Sequence, residues 1–179
     1  FGLDVRVANI AIAGQSTKTY LESQWQINNL LNVRPEFVLL QFGMIDEHSA
    51  EPEKLTAMEE YEANLESLVN LIRGFDGSPI LVTPVTKRKF GPDGKVVPWL
   101  DERSETMRQL ADRLQCHLID LNQMSKTLFN ELGDEASEHL TTDDRLHFYA
   151  EGAGLLAGLV AGKIPAFLKP YLDPDRAIE

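Results

Sequence analysis

Near the carboxyl end of the chain an aspartate and a histidine stand three residues apart, in Asp144-Arg145-Leu146-His147, just ahead of an apolar stretch. That spacing lets a carboxylate hold one nitrogen of the imidazole while the other faces a nucleophile, the base-and-orienter half of a hydrolytic triad. A surface aspartate and histidine in a polar loop share the spacing, so the pair alone leaves both readings open. Other residues with chemical capability lie further up the chain. Asp46 follows a short apolar run and suits the ordering of its own loop through backbone N–H groups, with a part in substrate binding as the alternative. Lys87-Arg88-Lys89 reads either as a solvated charge run or as a contact for an acidic polysaccharide. His48 is a loop residue or a ligand, and His117 and His139 have no partner at a metal-ligand spacing.

The elements that must position these residues follow from hydrophobic period and turn chemistry. Val5 to Ile12 is rich in β-branched residues and stops at Gly14, which predicts a strand ending in a turn. Tyr20 to Leu31 has a helical pattern, and Phe37 to Phe42 is a short apolar strand ending at Gly43. Between Thr56 and Arg73, Met58, Tyr61, Leu65, Leu68 and Ile72 fall at the three-and-four spacing of an amphipathic helix, with Gly74 as its cap. Pro79 to Val85 is the next buried strand, followed by a loop with a turn signal at Gly91-Pro-Asp-Gly94. A helix from about Leu100 to Leu114 leads to a strand over Cys116 to Leu121, and helix resumes near Gln123. Ala153 to Ile164 predicts a helix packed on the sheet and stopped by Pro165. Short apolar strands alternating with helices imply an α/β fold: a three-layer sandwich with a parallel, flavodoxin-like sheet in one domain over residues 1–179. In such sheets ligands bind beyond the carboxyl ends of the strands, which is where the candidate residues fall.

Composition narrows the function classes. With 17 Lys and Arg against 28 Asp and Glu, the formal charge is −11 and no basic cluster is large enough to drive binding to nucleic acid or an anionic membrane. Cys116 is the only cysteine, which excludes an internal disulfide framework and a cysteine-rich zinc site. There is no apolar run of membrane-spanning length. A leader, where one exists, lies upstream of Phe1 and would make the protein secreted or periplasmic; without one it is cytoplasmic.

Several segments line up in order with one known family. Asn9-Ile-Ala-Ile-Ala-Gly-Gln-Ser-Thr-Lys-Thr-Tyr20 resembles the second conserved block of the SGNH (GDSL) hydrolases. Gln41-Phe-Gly-Met-Ile-Asp46 resembles the third block, usually Gly-x-Asn-Asp, and Asp144 with His147 resembles the fifth. Leu81 to Val97 and Phe148 to Ala153 are similar to the rhamnogalacturonan acetylesterase branch in particular. The resemblance implies a serine esterase acting on acetylated, pectic carbohydrate, with His147 as general base and then acid, Asp144 as its orienter and the Gly14 N–H as an oxyanion donor. It implies no metal or organic cofactor.

The sequence departs from the family's pattern at two places. The family's nucleophile sits in a first block, Gly-Asp-Ser, one strand–helix unit of roughly 30 residues before the second. Only thirteen residues precede Gly14, so the first block and its strand are expected to lie upstream of Phe1 or to have been lost. Ile45 stands where the third block has an asparagine, and losing one such oxyanion donor costs on the order of 10²- to 10³-fold in rate. Ser16, in Gly14-Gln15-Ser16, is similar to the nucleophile of a related group of carbohydrate acetylesterases, with a helix N-cap as its alternative role. The competing function class is an inactive SGNH-like domain that binds carbohydrate or a partner chain. A flavodoxin-like nucleotide binder shares the topology but needs a phosphate-cradling loop whose glycines are not present. If residues 1–179 are the whole protein, the missing central strand leaves unpaired sheet edges, and a homo-oligomer is expected.

Overall fold

The computed structural model describes residues 6–164 and 166. The described residues fall into two compact units, divided between Ile80 and Leu81.

In the first unit, α1 (Thr17–Glu22) and α2 (Gln24–Val33) precede β1 (Phe37–Leu40), a short α3 (Met44–Glu47), a 3-10 turn over Pro52–Lys54 and α4 (Met58–Arg73). Tyr61, Leu65, Leu68, Val69 and Ile72 form the buried stripe of α4, as the sequence period requires. The Tyr61 hydroxyl donates to the Phe42 carbonyl at the end of β1, and Tyr20 meets the Phe42 ring edge-on at 5.5 Å between centroids.

Two expectations need correction here. The strand over Val5 to Ile12 does not form among the described residues, and Val5 itself lies outside them. β-branched residues make a strand only where a neighbour accepts the ladder hydrogen bonds. Here Val7 is 87% exposed and the Ala11 N–H turns to the Asn9 side chain instead. The single helix expected over Tyr20 to Leu31 is two helices. Ser23, in extended conformation, ends α1 by donating its N–H to the Tyr20 carbonyl and begins α2.

The second unit holds α5 (Asp101–Arg113), β3 (His117–Ile119), α6 (Leu121–Leu132), α7 (Asp134–Ser137), a 3-10 turn over Glu138–Leu140 and α8 (Ala150–Ala161). β2 (Ser78–Val82) spans the boundary of the two units, and the strands hydrogen-bond in the order β1-β2-β3. A helix lies between each pair of consecutive strands, α4 and then α5, which is the crossover that parallel neighbours need. Val96, Phe129 and Leu140 form one core cluster of the second unit with Phe90, Leu128 and Phe148, the rings of Phe129 and Phe148 stacking at 6.2 Å. The helix expected over Ala153 to Ile164 begins earlier, at Ala150, and packs on α6 and the Glu138–Leu140 turn. Gly152 explains that seat: a Cβ there would sit 2.2 Å from the Leu140 carbonyl oxygen, so only glycine permits the approach. Pro165 lies outside the described residues. Among the described residues no helix is long and apolar enough to cross a membrane.

Candidate active site

In the second unit, residues 141–148 form a narrow loop ahead of α8. Its mouth is closed by an antiparallel bridge between Thr141 and Phe148 and by the Thr142 N–H donating to the His147 carbonyl at 2.8 Å. Arg145 takes a left-handed conformation (φ 61°) that turns the chain back. Asp144 knits the loop from inside. Its Oδ1 accepts from the Thr142 hydroxyl at 2.7 Å, the Leu146 N–H at 2.8 Å and the His147 N–H at 3.0 Å. Its Oδ2 lies 2.6 Å from His147 Nδ1. The Thr142 hydroxyl, then the backbone and ring of His147, then the Leu146 N–H hold the Asp144 carboxyl well below the usual carboxylate range. The imidazole is therefore gripped at Nδ1 by an ionised carboxylate, while 75% of its side chain stays exposed. An imidazole so held carries its proton on Nδ1 and presents Nε2 as a base.

Lys87 and Arg88 part company in the structure. Lys87 is half-buried, its ammonium 5.9 Å from the centre of the Trp99 ring. The Arg88 side chain is 2% exposed, which corrects its reading as a solvated residue or a polysaccharide contact. Its guanidinium donates to Thr141 Oγ1 at 3.0 Å, to the Asp134 carbonyl at 2.7 Å and carboxylate, and to Ser137 Oγ at 3.2 Å.

In the first unit, Gly14 is exposed with φ 76°, in a turn that favours glycine. Ser16 is fully buried as the N-cap of α1, its hydroxyl accepting from the Thr19 N–H at 3.3 Å while the Thr19 hydroxyl accepts from the Ser16 N–H at 3.0 Å. Asp46 is 1% exposed. Its Oδ1 accepts from the N–H and hydroxyl of Thr17 and from the Thr56 hydroxyl, and its Oδ2 from the Gly43 N–H at 3.1 Å. The carboxylate thus orders its own loop, as the sequence suggests, but also ties that loop to the start of α1. A side chain this buried and this fully engaged is a poor substrate contact. Gly43 has φ 121°, a conformation L residues rarely adopt, and Ile45 beside it is half-buried. Among the described residues no group of three or more His, Cys, Asp or Glu could hold a metal ion.

Residues 1–155 match the model of the GDSL-like lipase/acylhydrolase family. The chain belongs to that family. Among its relatives, rhamnogalacturonan acetylesterase RhgT of Bacillus subtilis (strain 168) is 27% identical over 189 residues, covering 97% of this chain and 80% of that protein. The probable rhamnogalacturonan acetylesterase YesY of the same strain is 29% identical over 179 residues, covering 94% of this chain and 81% of that protein. Among solved structures, protein YxiM of Bacillus subtilis superposes with a TM-score of 0.79 at 24% identity, covering 90% of this chain. The chain spans less than half of YxiM, 46%.

The resemblance read from the sequence, and its rhamnogalacturonan acetylesterase-like branch, therefore holds. So does the α/β fold with a parallel sheet. Sequence reasoning missed three residues that hold the Asp144–His147 loop and its surroundings. Thr142 stands two residues before Asp144, and a hydroxyl at that distance ahead of an Asp-x-x-His was the available signal. Asp134 and the inward role of Arg88 had none, because the residues that meet them lie 11 and 46 to 53 positions away in the chain.

Proposed function

We propose that this protein is a serine esterase that removes O-acetyl groups from a carbohydrate, with acetylated rhamnogalacturonan or its fragments as the substrate. Its family, its likeness to RhgT and YesY along nearly its whole length, and the geometry of its own residues support this reading. The observation that carries it is the 2.6 Å pairing of His147 Nδ1 with Asp144 beneath an open imidazole face.

Residues 1–179 act as one catalytic domain in this reading, and the nucleophile is the serine of the family's Gly-Asp-Ser block, a tripeptide that these residues do not contain. His147 Nε2 takes the proton from the serine hydroxyl as its oxygen attacks the acetyl carbonyl. The Gly14 N–H is one donor to the oxyanion that forms. The imidazolium is stabilised by the Asp144 carboxylate and returns its proton to the departing sugar oxygen, leaving an acetyl-enzyme. Water, deprotonated by the same nitrogen, then attacks the acetyl-enzyme, and the imidazolium returns that proton to the serine oxygen as acetate leaves. Ile45 offers no hydrogen bond where the family has an asparagine, so the remaining donors carry the oxyanion. Ser16 stays outside the chemistry, because freeing its hydroxyl would uncap α1.

The test is fluorophosphonate labelling of the full-length protein followed by peptide mass spectrometry. One adduct on a Gly-Asp-Ser serine, lost in His147→Ala, is expected. An adduct on Ser16, or no adduct together with no acetate release, would overturn the assignment.

A further inference from the structure

The Asp144–His147 loop is mostly exposed, and something outside it must fix where the imidazole points. We propose that Arg88 is a positioning residue for His147, holding the loop in register from beneath; this rests on the esterase reading of the site.

One residue reaches both sides of the loop. The backbone N–H of Arg88 donates to the Arg145 carbonyl at 2.9 Å, at the loop's left-handed turn between Asp144 and His147, and places the side chain beneath the loop. Its Nε donates to Thr141 Oγ1 at 3.0 Å, where the loop leaves the 3-10 turn and pairs with Phe148. Its Nη1 donates to the Asp134 carbonyl and carboxylate and to Ser137 Oγ, which fixes the guanidinium against α7. The carboxylate of Asp134 is in turn bound by Arg145 Nη1, at 3.1 Å and 3.3 Å from its two oxygens. Asp134 thus joins Arg88 to the side chain of the residue whose carbonyl Arg88 already holds. Burial pushes the Asp134 carboxyl up, but the hydrogen bonds from Arg88 and Arg145 outweigh it, and the carboxyl lies below its ordinary value.

A guanidinium this buried is costly unless its donors are used, and an apolar side chain of similar volume would fill the space at less cost. What the arginine supplies is direction. Its planar fork sets Thr141, Asp134 and Ser137 at fixed bearings around one rigid group. Misplacing a catalytic base by about 1 Å is enough to lose on the order of 10²-fold in rate. The Arg88 side chain touches neither His147 nor the reacting atoms, so it acts through Thr141 and, by way of Asp134, through Arg145.

The experiment compares Arg88→Met, Arg88→Lys and Thr141→Val by two readouts. The 15N shifts of the His147 ring nitrogens report which nitrogen carries the proton, and need no turnover. Acetyl-ester kinetics on the full-length protein separate kcat from KM. Arg88→Met that still melts cooperatively is expected to show mixed His147 tautomers and a kcat lower by about 10- to 100-fold at unchanged KM, with part of the kcat restored by lysine. Should Arg88→Met not fold, the near-isosteric Thr141→Val keeps the guanidinium and removes one tie, with a smaller change in the same direction. Folded variants with wild-type 15N shifts and wild-type kcat would overturn the positioning role. Absence of turnover in the wild type would sink the esterase reading instead, while the nitrogen shifts still decide the role of Arg88.

Discussion

Replacing Asp144 by asparagine isolates one property on which the proposed esterase chemistry depends, which nitrogen of the His147 imidazole carries the proton. Asparagine keeps a carbonyl oxygen, so the three bonds that Oδ1 accepts from the Thr142 hydroxyl, the Leu146 N–H and the His147 N–H survive and the loop keeps its shape. What changes is the atom that stood 2.6 Å from His147 Nδ1. An amide NH₂ now faces that nitrogen, and two donors cannot meet. The imidazole answers by carrying its proton on Nε2 and accepting at Nδ1. The nitrogen that should receive the serine proton is then already occupied. In a comparable triad that change of tautomer lowers kcat by about 10⁴-fold, and Asp144→Asn is expected to lose on the order of 10³- to 10⁴-fold in kcat with KM little changed. The assay is p-nitrophenyl acetate hydrolysis by the full-length protein, with thermal melting to show that the loop still folds. A folded Asp144→Asn retaining more than a tenth of wild-type kcat would refute the reasoning.

Three further outcomes follow from the same geometry. Asp46→Ala removes the acceptor of the buried Thr17 and Gly43 N–H groups, at about 1–3 kcal/mol each, so urea denaturation should show a loss of about 2–6 kcal/mol; an unchanged midpoint would contradict the role given to this carboxylate. Gly152→Ala sets a helix-propensity gain of about 1 kcal/mol against a Cβ 2.2 Å from the Leu140 carbonyl oxygen; overpacking costs about 1–3 kcal/mol or more, so the melting temperature should fall. The third outcome concerns acid. Asp144 titrates lower in the folded than in the unfolded chain, so below about pH 4 the unfolded state binds the proton first. The stability it contributes is present above that pH and is lost as pH falls. Melting temperatures of wild type and Asp144→Asn should therefore converge below about pH 4, and a constant gap would count against the carboxylate's grip on the loop.

Much of this was legible in the residues because it depends on neighbours in the chain. The stripe from Met58 to Ile72 needs only a helical period, and α4 follows it. Asp144 and His147 are three residues apart, so the pairing of carboxylate and imidazole is visible in nearby residues. The Gly43 N–H bond to Asp46 was within reach for the same reason. The failures share the opposite cause. The strand expected over Val5 to Ile12 had the right residues, but strand formation depends on a neighbour, which no local pattern reports. Lys87-Arg88-Lys89 looked like a solvated run. In extended chain alternate residues face opposite ways, so Arg88 points inward while Lys89 stays exposed. The Thr17 bonds to Asp46 join residues 29 apart, a pairing that folding alone makes.

The most direct measurement is the acetate released from acetylated rhamnogalacturonan by the full-length protein and by its His147→Ala form. The account predicts steady release by the wild type and a fall of at least about 10³-fold in the variant, which still melts cooperatively. No release by the wild type, or equal release by both forms, would contradict it.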